Sequence, residues 1–335
     1  MKITELPNQF NDFFEFNKKI FPERKNVPAY FQYFYQTNPL LPENKPVGYL
    51  ALSDQNEITG QFLLSPVTWC NGEEQGRGYW GCDYYVSTDF RGSGAGAMLA
   101  LKAIHGHKPY FTIGATEEAK KISLSLKAIQ VGDLYKYIRV RNLTAPAKTI
   151  LHKIFNTSPL PPSEKKWPDS IDLKEARFER TNKPFHTHCH FPALSFDRSQ
   201  DYMDWRFLHS MFPYYIYRHN NRPDYFVCRS MIWRGLVMLV LVDYRTDTEN
   251  PKGFSTLLRA VTKLATRLGV DGTMTFSSLS VYDKILEQGH FFRIGRPLPI
   301  LTNLPQEWDE NAMLNRRAVL ATLADCDIDF NLGDA

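Results

Sequence analysis

The chain has 335 residues, of which 43% are hydrophobic and 14% aromatic, enough to build about two packed cores and too apolar for a disordered protein. The formal net charge is +4 and the charges of both signs are interspersed, which argues against nucleic acid as a partner. Neither an apolar signal segment nor an apolar run approaching ~18 residues occurs, so we expect a cytoplasmic protein with no membrane partner. Five cysteines without CxxC spacing give no reason to expect disulfides or a metal.

The first half alternates strand and helix patterns. ITEL predicts a short strand, FNDFFEFNKKIF and YFQYFYQ predict helical pieces, and VGYLALSDQNEITGQFLLSPV predicts two strands joined at the polar turn SDQNE. GYWGCDYYV predicts the next strand, GAMLALKAI a helix and YFTIG a further strand. The apolar face between Glu117 and Gln130 predicts a second helix that ends at Gly132, before the strand DLYKYIRV.

Prolines and polar residues interrupt every periodicity between Asn156 and Ser170. We therefore predict two domains, residues 1–155 and 156–335. The second half repeats the outline of the first, since KAIQVGDLYKY and KILEQGHFFRI both place a helix and a glycine before an aromatic strand. In it, FSTLLRAVTKLATRLG predicts an amphipathic helix ending at Gly269, and the acidic segment 324–335 is expected to be solvated or loosely docked.

A glycine-rich turn leads from a strand into an apolar helix in DYYVSTDFRGSGAGAMLALKAI, residues 83–104. Such turns bind phosphate groups, because the first amides of a helix have no partner within it. Gly92, Gly94 and Ala97 fit the dinucleotide pattern GxGxx(G/A), whereas Arg91, Gly94 and Gly96 fit RxxGxG, which is typical of acyl-coenzyme A binding. An ordinary tight turn before a buried helix is the third interpretation.

The acyl-coenzyme A interpretation explains more of these residues. A dinucleotide turn follows its strand directly, but the polar segment STDFR separates Val86 from Gly92, although Glu117 or Glu118 could serve as the ribose-binding acid. In the favoured interpretation the loop exposes successive backbone amides to a pyrophosphate. Its cofactor-binding residues are Arg91, Gly92, Ser93, Gly94, Ala95 and Gly96.

The segment YYVSTDFRGSGAGAMLALKAI resembles motif A of the GCN5-related N-acetyltransferase superfamily, and FTIGATEEAKKISLSLKAIQVG resembles the strand and helix that follow it. The resemblance extends over roughly the first 145 residues. The second half resembles a degenerate copy without RxxGxG. The resemblance implies an α/β (α+β) fold of two tandem acyl-CoA N-acyltransferase-like domains, each with a mixed, mostly antiparallel central sheet flanked by helices, and one site for acetyl-CoA or another acyl-CoA.

The resemblance also implies roles for individual residues. The backbone N–H of Val86 would contact the thioester and stabilise the oxyanion, and Asp83 would accept the proton of the amine. A structural hydrogen bond is an equal alternative for Asp83. The family's tyrosine, which protonates the thiolate, lies four residues before the glycine that follows the second helix, and counting back from Gly132 gives Ala128. This departure raises the alternative of a protein that binds acyl-CoA without catalysis.

Three histidines, His186, His188 and His190, would share one face of a strand in FHTHCHF. Because no second cluster of ligands accompanies them, polar exposure or substrate contact is preferred to a metal site.

The sequence thus predicts an acyl-CoA-dependent N-acyltransferase that acts on the primary amine of a small molecule, such as an amino sugar, and leaves a homodimer open. A non-catalytic acyl-CoA sensor and a nicotinamide-dependent oxidoreductase are the alternatives.

Overall fold

The computed structural model describes residues 1–24, 26–72, 74–141, 148–150, 159–183, 194–246, 251–303 and 319–332. Numbered in chain order, the strands are β1 Lys2–Glu5, β2 Val47–Leu52, β3 Ile58–Asn71, β4 Glu74–Val86, β5 Tyr110–Ile113, β6 Ile129–Val140, β7 Ser170–Asp172, β8 Arg177–Thr181, β9 Leu194–Phe196, β10 Tyr215–His219, β11 Tyr225–Trp233, β12 Leu236–Arg245, β13 Gly272–Ser277, β14 Phe292–Asn303 and β15 Val319–Leu320. The helices are α1 Asn11–Ile20, α2 Val27–Phe31, α3 Ala95–Gly106, α4 Glu117–Ser125, α5 Gln200–Met203, α6 Pro251–Leu268 and α7 Ser280–Gln288.

The chain forms two compact units. The first comprises Met1–Gly132 with Leu298–Arg317, and the second comprises Asp133–Pro297 with Ala318–Ala335. The predicted boundary between residues 155 and 156 lies outside the described residues and stays a prediction. Each unit therefore contains a segment from the opposite half of the chain.

The sheet of the first unit has the strand order β1-β2-β3-β4-β5-β14. Every neighbouring pair is antiparallel except β4 and β5, which are parallel and are connected through α3. The last strand comes from the distant end of the chain, because Ile300 pairs with Ile113 and Asn303 with Tyr110.

The sheet of the second unit has the order β6-β13-β12-β11-β10-β8-β7. It again contains one parallel pair, β12 with β13, which α6 connects. The strand β6, which follows α4 of the first unit, pairs antiparallel with β13. Each unit thus contains one parallel pair connected by a helix and takes its last strand from the other half of the chain. The predicted class of mixed, mostly antiparallel sheets flanked by helices is confirmed.

The core of the first unit lies where α3 packs on the sheet. Small residues of the helix, Ala95, Ala100 and Ala103, allow it to approach Phe62 and Leu64 of β3 closely, and all five side chains are buried. The other face is covered by the aromatic side chains of α1 and α2 and the π-helical turn Gln32–Gln36, among them Phe13, Phe31 and Tyr35.

The acidic segment near the end of the chain is buried where it is described, and the expectation of a solvated tail was wrong. Asp325 accepts a hydrogen bond from Arg198 at 2.8 Å, and Asp329 accepts one from Arg229 at 2.9 Å. Because each carboxylate has a buried guanidinium partner, the acidic composition reflects internal ion pairs and not exposure to water.

Within the described ranges, no helix is both long enough and apolar enough to cross a bilayer.

Candidate active site

A cleft opens where the parallel strands β4 and β5 separate. The strands pair only through Tyr79 with Tyr110 and Trp80 with Phe111, whereas β4 continues to Val86. The Gly81 carbonyl still accepts a hydrogen bond from the Thr112 hydroxyl of β5 at 3.3 Å. Beyond Gly81, the backbone of β4 therefore faces the space between the two strands. Open sheets bind their ligands in crevices of this kind, at the carboxyl ends of parallel strands.

The strand β4 is irregular inside this cleft. Asp83 and Tyr84 together lie opposite the single residue Phe62 of β3, which is the pattern of a β-bulge. Asp83 has a φ of 49°, in the left-handed region that side chains with a Cβ rarely adopt. Bulges and strained residues of this kind concentrate next to active sites.

Two buried amides hold the irregular part in place. The side-chain N–H of Gln61 donates to the Asp83 carbonyl at 3.2 Å and to Asn17 Oδ1 at 3.1 Å, and Asn17 donates back to Gln61 Oε1 at 2.8 Å. Neither residue was predicted from the sequence. The available signal was a polar residue on an otherwise apolar face, Asn17 among the phenylalanines of α1 and Gln61 within an apolar strand.

Arg24 and Tyr35 hold the Asp83 carboxylate. Arg24 donates to Oδ2 at 2.9 Å and pairs with Oδ1 through its second terminal nitrogen, and the Tyr35 hydroxyl donates to Oδ2 at 2.9 Å. Burial alone would lower the pKa of Arg24, but the adjacent carboxylate outweighs burial and the pKa is raised. A carboxylate that accepts three hydrogen bonds fits the structural alternative for Asp83 better than the role of a base.

The Val86 amide points toward the cleft. The next residue, Ser87, donates its N–H to the Thr59 carbonyl of β3 at 2.8 Å. Because successive peptide groups of a strand point in opposite directions, the Val86 N–H is directed away from β3. The Val86 carbonyl accepts from Arg91 Nε at 3.3 Å. The irregular part lies earlier, at Asp83 and Tyr84, so the oxyanion role of Val86 stays a prediction.

The loop between β4 and α3 contains two left-handed residues, Gly92 with a φ of 84° and Gly94 with a φ of 86°. No atom lies within 4 Å of the position that a Cβ would occupy at either residue. Conformation and not crowding therefore requires these glycines, and the space beside them is open. Since α3 begins at Ala95, the unpaired amides of its first turn follow immediately.

The remaining side chains of the loop leave this space open. The Ser93 hydroxyl donates to the Phe90 carbonyl at 2.7 Å and accepts from the Ala95 N–H at 3.4 Å, so it closes the loop on itself. Arg91 is exposed, and its guanidinium carbon lies 5.8 Å from the centre of the Tyr85 ring. The N–H groups of Arg91 and Ser93 donate to carbonyls within the loop, whereas those of Gly92 and Gly94 make no hydrogen bond among the described residues. These two amides with a cation beside them fit the pyrophosphate of an acyl-CoA.

The helix after β5 ends earlier than the predicted Gly132. α4 stops at Ser125, the chain turns at Lys127 with a φ of 65°, and Gly132 lies inside β6. The residue four positions before the turn is therefore the buried Ser123 and not Ala128. The departure from the family's tyrosine persists at the corrected position.

The corresponding strands of the second unit are bridged. The Tyr244 hydroxyl of β12 donates to the Phe276 carbonyl of β13 at 3.0 Å, and Phe254 stacks on Tyr282 with 4.1 Å between ring centres. The hydrogen bond joins β12 to β13 beyond their last paired residues, Leu241 and Thr275. The histidines predicted at 186, 188 and 190 lie outside the described residues.

Residues 9–117 match the model of the acetyltransferase (GNAT) family. The matched range contains β4, the glycine loop and α3, the elements that form the cleft. No curated protein sequence matches the chain.

Solved structures resemble the chain over most of its length. A GCN5-related N-acetyltransferase from Anabaena variabilis has a TM-score of 0.58 at 10% identity, covering 90% of this chain and 72% of that one. The N-myristoyltransferase of Saccharomyces cerevisiae with bound myristoyl-CoA has a TM-score of 0.55 at 14% identity, covering 90% and 80%. A probable N-acyltransferase from Enterococcus faecalis has a TM-score of 0.56 at 9% identity, covering 90% and 72%. At these identities the likeness establishes the fold.

Proposed function

We propose that the chain, whose residues 9–117 match the model of the acetyltransferase (GNAT) family, is an acyl-CoA-dependent N-acyltransferase that transfers an acyl group directly to the primary amine of a small molecule. Acetyl is the first candidate for the acyl group and an amino sugar for the acceptor. The observation that carries the proposal is the separation of β4 from β5 beside a loop with two left-handed glycines.

The cofactor-binding residues are proposed as Arg91 to Gly96. The space beside the two left-handed glycines is open. We place the pyrophosphate there, against the amides of Gly92 and Gly94 and the first turn of α3, with the charge of Arg91 next to it. When bound there, acyl-CoA supplies the activated thioester. The Val86 N–H, directed away from β3, is the proposed donor to the oxygen on which negative charge develops.

The amine must lose a proton before or during its attack. Asp83 is the candidate base by resemblance, but its contacts with Arg24 and Tyr35 support a positioning role, in which it fixes the irregular part of β4. In that role the proton leaves through water. If Asp83 is the base, Asp83→Asn abolishes turnover at every pH while acetyl-CoA still binds, whereas in a positioning role turnover falls without a change in the shape of its pH profile.

We propose one cofactor site, in the first unit. The bridge from Tyr244 to Phe276 supports this proposal, because it joins the two parallel strands of the second unit beyond their pairing. The role of the second unit would then be structural or part of acceptor binding.

The first experiment compares thermal unfolding with acetyl-CoA, CoA and NADH. A ligand at 100 times its dissociation constant adds about 2.7 kcal/mol to stability, which raises the midpoint by several degrees. We expect acetyl-CoA and CoA to raise it and NADH to have no effect. A panel of amines, with release of CoA thiol as the signal, then identifies the acceptor.

Two outcomes contradict the proposal. If NADH alone raises the unfolding midpoint, the loop binds a dinucleotide and not acyl-CoA. Binding of acetyl-CoA without thiol release on any amine supports the non-catalytic alternative, which the serine at position 123 favours.

A further inference from the structure

The side chain of Tyr84 lies between the irregular part of β4 and the glycine loop. Its ring stacks on Phe62 with 4.5 Å between ring centres and 21° between the planes. Its hydroxyl lies 2.7 Å from the position that a Cβ on Gly96 would occupy. The stacked ring thus fixes a hydroxyl beside the first turn of α3.

The presence of glycine at position 96 follows from this hydroxyl. Gly96 lies within α3, and it is not among the glycines of the described chain with positive φ, so its backbone conformation does not demand glycine. What a Cβ would meet is the Tyr84 hydroxyl, on a ring that its stacking holds in place. A side chain at position 96 would therefore collide with the Tyr84 hydroxyl, and this contact explains why the last residue of RxxGxG is glycine.

The Tyr84 hydroxyl accepts or donates no hydrogen bond among the described residues. Burial raises the pKa of Tyr84 to about 12, so the phenol is protonated at neutral pH and presents an O–H donor. The neighbouring amides of the first helical turn are donors as well. A group that satisfies both must accept hydrogen bonds from them, and a phosphate oxygen, which accepts several and carries negative charge, suits this position.

We propose that the Tyr84 hydroxyl donates a hydrogen bond to a pyrophosphate oxygen of the acyl-CoA. This inference rests on the proposed function, since it places the pyrophosphate at the glycine loop. It adds a side-chain donor to a site that otherwise uses backbone amides and the Arg91 charge. It also explains why a hydroxyl is present at the end of a ring that packs against an apolar core.

The test uses Tyr84→Phe, which removes the hydroxyl and keeps the ring, and Tyr85→Phe as the matched control on the adjacent residue. Isothermal titration measures the affinity of each full-length variant for CoA and for dephospho-CoA, which lacks the 3′-phosphate but retains the pyrophosphate. Loss of a hydrogen bond to a charged group should weaken both ligands about tenfold in Tyr84→Phe. Tyr85→Phe should bind both as the wild type does, and ligand-free Tyr84→Phe should unfold at the wild-type midpoint.

Several results would overturn the inference. Unchanged affinities in Tyr84→Phe mean that the hydroxyl faces solvent in the complex. A loss for CoA but not for dephospho-CoA assigns the contact to the 3′-phosphate. A lowered unfolding midpoint without ligand makes the hydroxyl structural. Failure of the wild type to bind CoA at all rejects the proposed function, and the inference with it, which is distinct from a failure of Tyr84→Phe alone.

Discussion

The buried ion pair between Arg24 and Asp83 connects the loop after α1 to the irregular part of β4. Both side chains are almost fully buried, and Arg24 also stacks between the rings of Phe21 and Tyr30, at 3.9 and 4.2 Å from their centres. A guanidinium in this position has few alternatives to its carboxylate partner, so the pair fixes the shape of the strand at the proposed thioester site.

Arg24→Ala should therefore lower the free energy of unfolding by about 3–5 kcal/mol, because it leaves the Asp83 carboxylate buried without its cation. Urea denaturation measures the loss. Lys45→Ala is the control, since Lys45 and Glu43 form an exposed pair, and such pairs contribute at most about 1 kcal/mol. Equal effects of the two substitutions would show that the Arg24 pair is not structural.

Gly94→Ala tests the left-handed conformation of the loop. A Cβ at a φ of 86° meets no neighbouring atom, so the cost is conformational, about 1–2 kcal/mol. We expect this loss of stability together with weaker acetyl-CoA binding, measured by calorimetry. Gly106→Ala, at the other end of α3 and without a positive φ, is the control and should retain wild-type binding.

At the scale of elements, local patterns predicted most of the helices and strands. The hairpin of β2 and β3 and the helices α3 and α6 follow from periodicity and from turn residues, which are local in the sequence. The bulge at Asp83 could not be predicted in this way, because its partners Gln61 and Arg24 lie 22 and 59 residues away. The predicted end of α4 was wrong because Lys127, not a glycine, adopts the left-handed conformation after the helix.

The segment that contains β15 is held in the second unit by buried charges. Asp243 of β12 accepts from Arg198 and Arg245, and Arg198 donates in turn to Asp325. Burial by itself would raise the pKa of Asp243, but the two arginines outweigh burial and hold the pKa of this carboxyl well below its usual range.

Because the folded pKa of Asp243 lies below the unfolded value, its contribution to stability is present above about pH 4 and is lost as the pH falls toward the folded pKa. We expect the unfolding midpoint to fall steeply below about pH 4. Asp243→Asn should lower stability at pH 7 by about 3–5 kcal/mol. In this variant the unfolding midpoint should fall less steeply below about pH 4, as measured by calorimetry from pH 7 to 3. If Asp243→Asn and the wild type lose stability equally between about pH 4 and 3, other carboxylates cause the acid destabilisation.

At the scale of the whole molecule, neither half of the sequence contains all the strands of its own unit, because each unit takes one strand from the other half. The repeated pattern of the two halves predicted the similarity of the units, but no local signal indicates which strand pairs with which. β6 and β14 each follow the last helix of their half of the chain, and only the tertiary structure assigns each to the unit of the other half.

A fragment of residues 1–155 should therefore fail to form a stable domain, because β5 lacks β14 and presents an unpaired edge. Circular dichroism and size-exclusion chromatography should show loss of structure or aggregation. Met1–Gly132 joined by a flexible linker to Leu298–Arg317 restores the whole first unit and is the matched control. If residues 1–155 alone fold and bind acetyl-CoA, the exchanged strand is dispensable.

The exchanged strand β14 also delays completion of the first sheet during synthesis on the ribosome. β5 is complete at Ile113, but Asn303, the last residue of its partner strand to pair, is synthesised 190 residues later. At 5–20 residues per second, the edge of β5 waits roughly 10–40 s for its partner. During synthesis the nascent chain therefore carries an open sheet edge next to the proposed acyl-CoA site, and a chaperone that shields such edges should raise the yield of folded protein.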